Sequence, residues 1–392
     1  MAVSTESATK HQKTEDLDKI SNLPDPLICY ILSFLSTKQA VATGILSNRW
    51  RLLWTSVTNL DFNDEDTEDY MGFYQFVSRI LLLPNAEPIK KLRLRCGYRT
   101  SSNVNTWVCA AMERKVEQIE ISSYLGRYFE FPHSLLYCKT IVVLKLSWVR
   151  IMNEPSSVHL PLLKTLHLVR VCSATYGFMR MLLSGCPVLE ELVVKELELA
   201  HSSNVSIEIS LPNLVKAEFG FCFWEDDNGL MLNFLEGLSN VAFLSLLFKT
   251  VESLNRYASV NDFPMFHNLA HLEVAVSNFG WQVLANLLQS SHKVEVIVIH
   301  KFTYFYSHTT PSWTSPQDVP ICLSSHLRRL DFRGFEGKEY ELEFARYILK
   351  NARVLKTMTI CCDRVSKPKA KLHILQKLTA LPRGSECQIL FE

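Results

Sequence analysis

From Ile89 onward one hydrophobic rhythm governs the chain: apolar, two residues, apolar, one residue, apolar. It occurs at Ile89, Leu92, Leu94, at Val116, Ile119, Ile121, at Ile141, Leu144, Leu146, and at Leu163, Leu166, Leu168. It returns at Leu189, Leu192, Val194, more weakly at Leu214, Ala217, Phe219, then at Val241, Leu244, Leu246 and Leu269, Leu272, Val274. Val294, Ile297, Ile299, then Leu327, Leu330, Phe332, and Leu355, Met358, Ile360 complete eleven copies. The starts lie mostly 22 to 28 residues apart, with one gap of 33. Apolar residues two apart share one face of a strand, so each triplet predicts a short strand with that face buried. Amphipathic segments at 104–114, 176–184, 230–238 and 281–289 predict returning helices, whereas 151–160, with Pro155, predicts a loop. A single triplet carries no information, but eleven at this spacing predict a leucine-rich-repeat solenoid.

Ahead of the repeats the periodicity changes. In Leu23–Trp54, the positions Leu27, Ile31 and Leu35 recur four apart, with Ile28 and Leu32 beside them. Asp25 is placed to cap a first helix, with Pro26 at its first position, Ser36 or Thr37 a second bearing Val41 and Ile45, and Ser47 a third bearing Trp50, Leu53 and Trp54. So small a unit buries too little surface to stand alone, and its apolar content predicts helices completed by a partner or by the rest of the chain. The acidic stretch Asp61 to Asp69 predicts a loop, and Met71 to Leu83 a helix ending before Pro84.

The LPDPL start, the ILSFL block, the VATGILSNRW turn and the closing RLLW resemble a plant-type F-box. Ser36 stands where that family often has proline, and Gly44 falls inside the second helical pattern, at a cost of about 1 kcal/mol against alanine. The resemblance implies docking on a Skp-type adaptor and, through it, a cullin and a RING subunit. The implied adaptor contacts are Leu23, Pro24, Leu27, Ile28, Ile31, Leu32, Leu35, Val41, Leu46, Trp50, Leu53 and Trp54. The run HLRRLDFRGFEGKEYELEFARYILKNARVLKTMTI, followed by LPRGSECQILF, resembles the FBD domain found after leucine-rich repeats in plant F-box proteins. It reads as strand, glycine-containing turn, helix, strand, helix, strand. The expected fold is α/β: a disordered tail (1–17), a three-helix F-box (18–60), a solenoid with a curved parallel sheet and convex helices or loops (61–319), and an FBD-like C-terminal α/β cap (320–392).

Strand alternation places Lys91, Arg93 and Arg95 on the concave face, and likewise Phe243, Ser245, Leu247, Val296, Val298 and His300. The candidate target-contacting residues are therefore the basic trio with Phe243, Leu247, Val296 and Val298. Three readings follow: a substrate-recognition subunit, a receptor whose basic concave residues hold a small molecule, and a scaffold acting without a ligase.

Composition narrows the chemistry. A formal net charge of +1 in 392 residues points to neither nucleic acid nor an acidic membrane surface. The opening twenty residues lack a secretory apolar core, and no apolar run approaches membrane-helix length. Eleven cysteines scattered in apolar segments fit reduced core thiols in the cytoplasm or nucleus, which makes the Asn204–Ser206 sequon irrelevant. No phosphate loop, dinucleotide turn, HExxH or CxxC pair is present, and adjacent Cys361 and Cys362 point to opposite faces of a strand. His300 and His308 near Cys322 are the nearest approach to a nucleophile pair. The expectation is a non-enzyme with no metal and no cofactor.

Overall fold

The computed structural model describes residues 20, 22–65, 67–83, 87–97, 101–124, 126–199, 209–222, 230–257, 262–277, 280–302, 313–362 and 368–392. The polar tail at 1–17, the sequon at Asn204 and His308 lie outside the described residues.

One open sheet runs the length of the molecule: β1 (Asn59–Asn63), β2 (Lys91–Cys96), β3 (Gln118–Ser123), β4 (Phe129–Glu130), β5 (Val143–Arg150), β6 (Thr165–Ala174), β7 (Glu191–Leu199), β8 (Lys216–Cys222), β9 (Phe243–Leu246), β10 (His271–Val276), β11 (Val296–Lys301), β12 (Arg329–Arg333), β13 (Thr357–Cys361) and β14 (Gln388–Phe391). Strand follows strand in chain order, every pairing is parallel, and only β4 stands off the path, on β5. The described helices are α1 (Asp25–Leu32), α2 (Thr37–Ala42), α3 (Tyr70–Leu81), α4 (Val104–Glu113), α5 (Tyr176–Ser184), α6 (Leu230–Glu236), α7 (Phe248–Tyr257), α8 (Trp281–Gln289), α9 (Ile321–Ser325), α10 (Glu339–Asn351) and α11 (Pro368–Thr379).

All eleven triplets are buried at every position. Their middle residues form one continuous ladder, in which Leu92 pairs with Ile119, Ile119 with Leu144, and so on through Leu330 to Met358. Each rung places one apolar side chain against the next, and a fully buried leucine or isoleucine contributes about 1.5–3 kcal/mol. No unit closes a core alone, so stability comes from stacking. Helices about 10 Å wide must share a repeat with strands about 4.8 Å apart, which wedges the stack and leaves the helix-free face on the inside of the curve.

The acidic stretch begins in a strand, at Asp61 to Asn63, and its described residues at 64–65 and 67–69 form the expected loop. Val57, Leu60 and Phe62 form a twelfth triplet, all buried, and β1 pairs with β2 through Leu60–Leu92 and Phe62–Leu94. Alternation turns Asp61 to the opposite face, where its charge is harmless to the core. The amphipathic α7 was not foreseen, since its polar residues hide a narrow buried stripe of Val251 and Leu254. The FBD-like segment is continuous with the repeats: β12, β13 and β14 extend the ladder through Leu330–Met358–Ile389, and α10 buries Leu342, Ala345, Ile348 and Leu349.

Within 23–57 a small second core gathers Ile28, Leu32, Ala40, Trp50 and Val57. Trp54 packs on both this core and the main one, and Val41 on the main one. Pro24, not Asp25, precedes α1, because the Asp25 carboxylate is taken by Arg49, whose Nε donates to it at 2.9 Å. Ser36 caps α2 in a reciprocal capping box with Gln39. α2 ends at Ala42, so Gly44 escapes the helix-interior penalty and sits in a 3-10 turn where a Cβ would stand 3.4 Å from the Arg51 Cα. The third helical pattern folds as turns followed by a 3-10 helix, Leu53–Ser56. That tighter winding lets Trp50, Leu53, Trp54 and Val57 all reach inward.

Candidate functional site

α1 is apolar nearly all round, so it has two faces to satisfy. Ile28 and Leu32 enter the local core, while Leu27, Tyr30, Ile31 and Phe34, spaced i, i+3, i+4, i+7, form a second stripe that stays exposed. Tyr30 and Phe34 meet edge to face, 4.9 Å between ring centres. Ile45, Leu46 and Leu52 are exposed as well, Ile45 at 89% and Phe34 at 72%. Seven large apolar side chains within one small unit exceed what a free surface ordinarily carries. Arg49 braces this region by bonding both Asp25 and the Leu23 carbonyl, which ties the 47–52 turns to the start of α1.

The residues named from sequence divide accordingly. Ile28, Leu32 and Trp50 are buried and build the unit; Leu23, Leu35, Leu53 and Trp54 are half-buried against them; Val41 faces the solenoid. Pro24, Leu27, Ile31 and Leu46 are exposed. Tyr30, Phe34, Ile45 and Leu52 are exposed too and are absent from the adaptor contacts the resemblance implies. Their signal was present, since a helix apolar on every side must show one face to something else.

The concave face is a ladder of compensated charge. Asp61, Arg93, Glu120, Lys145 and His167 occupy one register row across five strands. Arg93 lies 3.1 Å from Glu120 and 3.7 Å from Asp61, and Lys91 lies 3.5 Å from Glu120. Burial pushes the Glu120 carboxyl up, but Arg93 and Lys91 outweigh it and hold the group below its ordinary value. The basic trio is thus neutralised at Lys91 and Arg93, leaving Arg95 exposed beside them. Further along, Glu191 holds Lys216 at 2.7 Å and His167 at 3.4 Å, and Lys195 holds Glu218 at 2.7 Å.

The apolar strip is narrower than the sequence indicated. Phe243 is half-buried, stacked on His271 at 4.6 Å with Lys216 over its ring. Val296 is half-buried, but Val298 is only 4% exposed. Leu247 falls just past β9 and packs on Gly220, where a Cβ would stand 2.3 Å from its Cδ1.

No nucleophile pair forms between His300 and Cys322. His300 lies on the concave face, whereas Cys322 is buried in the helical layer, donating to the Leu288 carbonyl at 3.6 Å, with its thiol pushed up to about 12 by burial. Among the described residues no cluster of three metal-ligating side chains occurs, and no helix is long and apolar enough to cross a membrane.

Comparison with known proteins is consistent with this geometry. The F-box domain family matches residues 20–62, the family described as "FBD-associated F-box protein At5g56370, LRR repeats" matches 104–228, and the FBD family matches 315–360. The chain is 32% identical to "Putative FBD-associated F-box protein At3g50710" of Arabidopsis thaliana, covering 96% of this chain and 100% of that one. It is 30% identical to "F-box/FBD/LRR-repeat protein At4g26340" and 32% identical to "F-box/FBD/LRR-repeat protein At3g52680" of the same plant, over 96% of this chain and 100% and 93% of theirs.

Proposed function

The chain belongs to the plant FBD-associated F-box/leucine-rich-repeat family, and on that premise we propose that it is the substrate-recognition subunit of a cullin–RING ubiquitin ligase. The exposed stripe of α1, with Ile45, Leu46 and Leu52, docks a Skp-type adaptor; the concave face of the repeats holds a target protein. The observation that carries the reading is the double-faced F-box, whose inner face is used by its own core and whose outer face is left apolar.

Such a subunit breaks no bond. Its contribution is proximity: a target lysine held near a ubiquitin-charged enzyme reacts at a high effective concentration. The F-box therefore has to be a rigid extension of the solenoid, and Trp54, shared between both cores, supports that role. The cytoplasm and nucleus are the compartments where such a complex works.

The small-molecule reading loses its main support, because Lys91 and Arg93 are already engaged by Asp61 and Glu120. Co-purification from cells with the proteasome blocked tests the preferred reading. Ile45→Asp with Leu46→Asp changes only exposed positions, so the variant keeps its fold; it is expected to lose adaptor, cullin and RING together while retaining its target. Undiminished adaptor recovery on that variant excludes the proposal.

A further inference from the structure

The two ends of the sheet are finished differently. At the first edge, α2 closes on β1: the Asp61 amide donates to the Thr37 hydroxyl at 2.8 Å, and Thr37 is buried. At the other end, β14 pairs among the described residues with β13 alone. Gln388 and Glu392 donate their amides inward, to the carbonyls of Lys356 and Ile360, both at 2.9 Å. Parallel pairing alternates, so the amides and carbonyls of Ile389 and Phe391 point away from the sheet. An edge of this kind is a template for another strand, and natural proteins usually blunt it with charge or proline. The QILF sequence of β14 has neither, and Leu390 is exposed.

The helix that leads into this strand has a definite charge. α11 is the last of the helical layer and packs inward through Ile374, which touches Gly337, and Leu378. Its sequence PKAKLHILQKLT carries Lys369, Lys371 and Lys377 and no acid. Lys369 and Lys377 are exposed, Lys371 is half-buried, and none forms an ion pair among the described residues. From 368 to 392 four cations face only two carboxylates, Glu386 and Glu392, in a chain whose total is +1. Leu372 adds an exposed apolar side chain.

We propose that β14 and α11 together form a second docking site, which takes an acidic, extended segment of a partner protein as a further strand of the sheet. The main-chain groups of Ile389 and Phe391 pair with the incoming backbone, and the α11 lysines select acidic side chains. The lysines also disfavour a second copy of this chain, since a symmetric β14 pair would bring two copies of α11 together. The site is separate from the F-box face and the concave face, and the proposal stands independently of the ligase reading.

The test uses the full chain and fluorescein-labelled 12-residue peptides alternating glutamate with valine or threonine, read by polarisation. Three controls accompany them: the same peptide with lysine for glutamate, the acidic peptide N-methylated at alternate amides, and the variant Lys369→Glu/Lys371→Glu/Lys377→Glu. The acidic peptide is expected to bind, with affinity falling more than about tenfold in each control and at high salt. An unchanged melting temperature of the variant shows that the fold survives. Equal binding of the N-methylated peptide overturns strand addition, and equal binding of the lysine peptide overturns acidic selection. A concentration-dependent doubling of mass without peptide binding assigns the edge to a second copy, and no binding at all removes the site; both overturn the proposal.

Discussion

The buried hydroxyl of Thr37, at the start of the second F-box helix, accepts the backbone amide of Asp61 in the first strand of the solenoid. One hydrogen bond thus joins the F-box to the repeat sheet and occupies an outward amide of its first strand. Thr37→Val keeps the shape and deletes the acceptor, leaving a part-buried amide unpaired. The expected cost is about 1–3 kcal/mol. Urea denaturation measures it, and faster hydrogen exchange at the Asp61 amide is expected to accompany it.

A second junction lies at the other end of the repeats. Lys301, wholly buried at the end of β11, is held by Glu341 of α10 and lies 3.1 Å from Glu336. Glu341 also accepts the amides of Glu336 and Lys338, at 2.9 and 3.1 Å. Lys301→Met strands the Glu341 carboxylate in the core and is expected to destabilise by about 3–5 kcal/mol. Lys301→Met with Glu341→Gln is expected to recover part of that loss, because the stranded charge is gone. Denaturant midpoints of the two variants check both statements.

Acid is expected to weaken the solenoid in two steps. Burial, with repulsion from Lys145, lowers the His167 pKa below its ordinary 6.5, and burial does the same for His300. The folded state keeps these rings neutral while the unfolded chain protonates them. Their contribution is therefore complete above about pH 6.5 and lost as pH falls through that value toward the folded pKa. Burial raises Glu191, but Lys216 and His167 outweigh it and leave it below its ordinary 4.5, so a further loss begins as pH falls through that range. His167→Gln with His300→Gln is expected to flatten the first step, as read from urea midpoints at pH 7.5, 6 and 5.

The repeat architecture was legible because its signal is local. Each triplet needs only its own spacing, and every one of the eleven reached the core. What escaped depends on neighbours far apart in sequence. Asp61 reads as part of an acidic loop until β1 is laid beside β2, where Arg93 meets it. Lys91 and Arg93 read as a basic patch until Glu120 is brought across from β3. On the F-box, periodicity marked α1 as apolar but could not choose between its faces. Burial separates Ile28 and Leu32 from Tyr30 and Phe34. Ser47, Trp50 and Trp54 fit a helix by spacing, yet two indoles sharing a small core are better served by a tighter turn.

An adaptor docked on the outer face of the F-box covers the amides beneath it. Hydrogen exchange of the full chain with and without a Skp-type adaptor measures this most directly. Protection is predicted across Leu27–Phe34 and Ile45–Leu52, with the β2–β11 amides unchanged, and is predicted to vanish in Ile45→Asp/Leu46→Asp. Protection confined to the concave strands, or none at saturating adaptor, would contradict it.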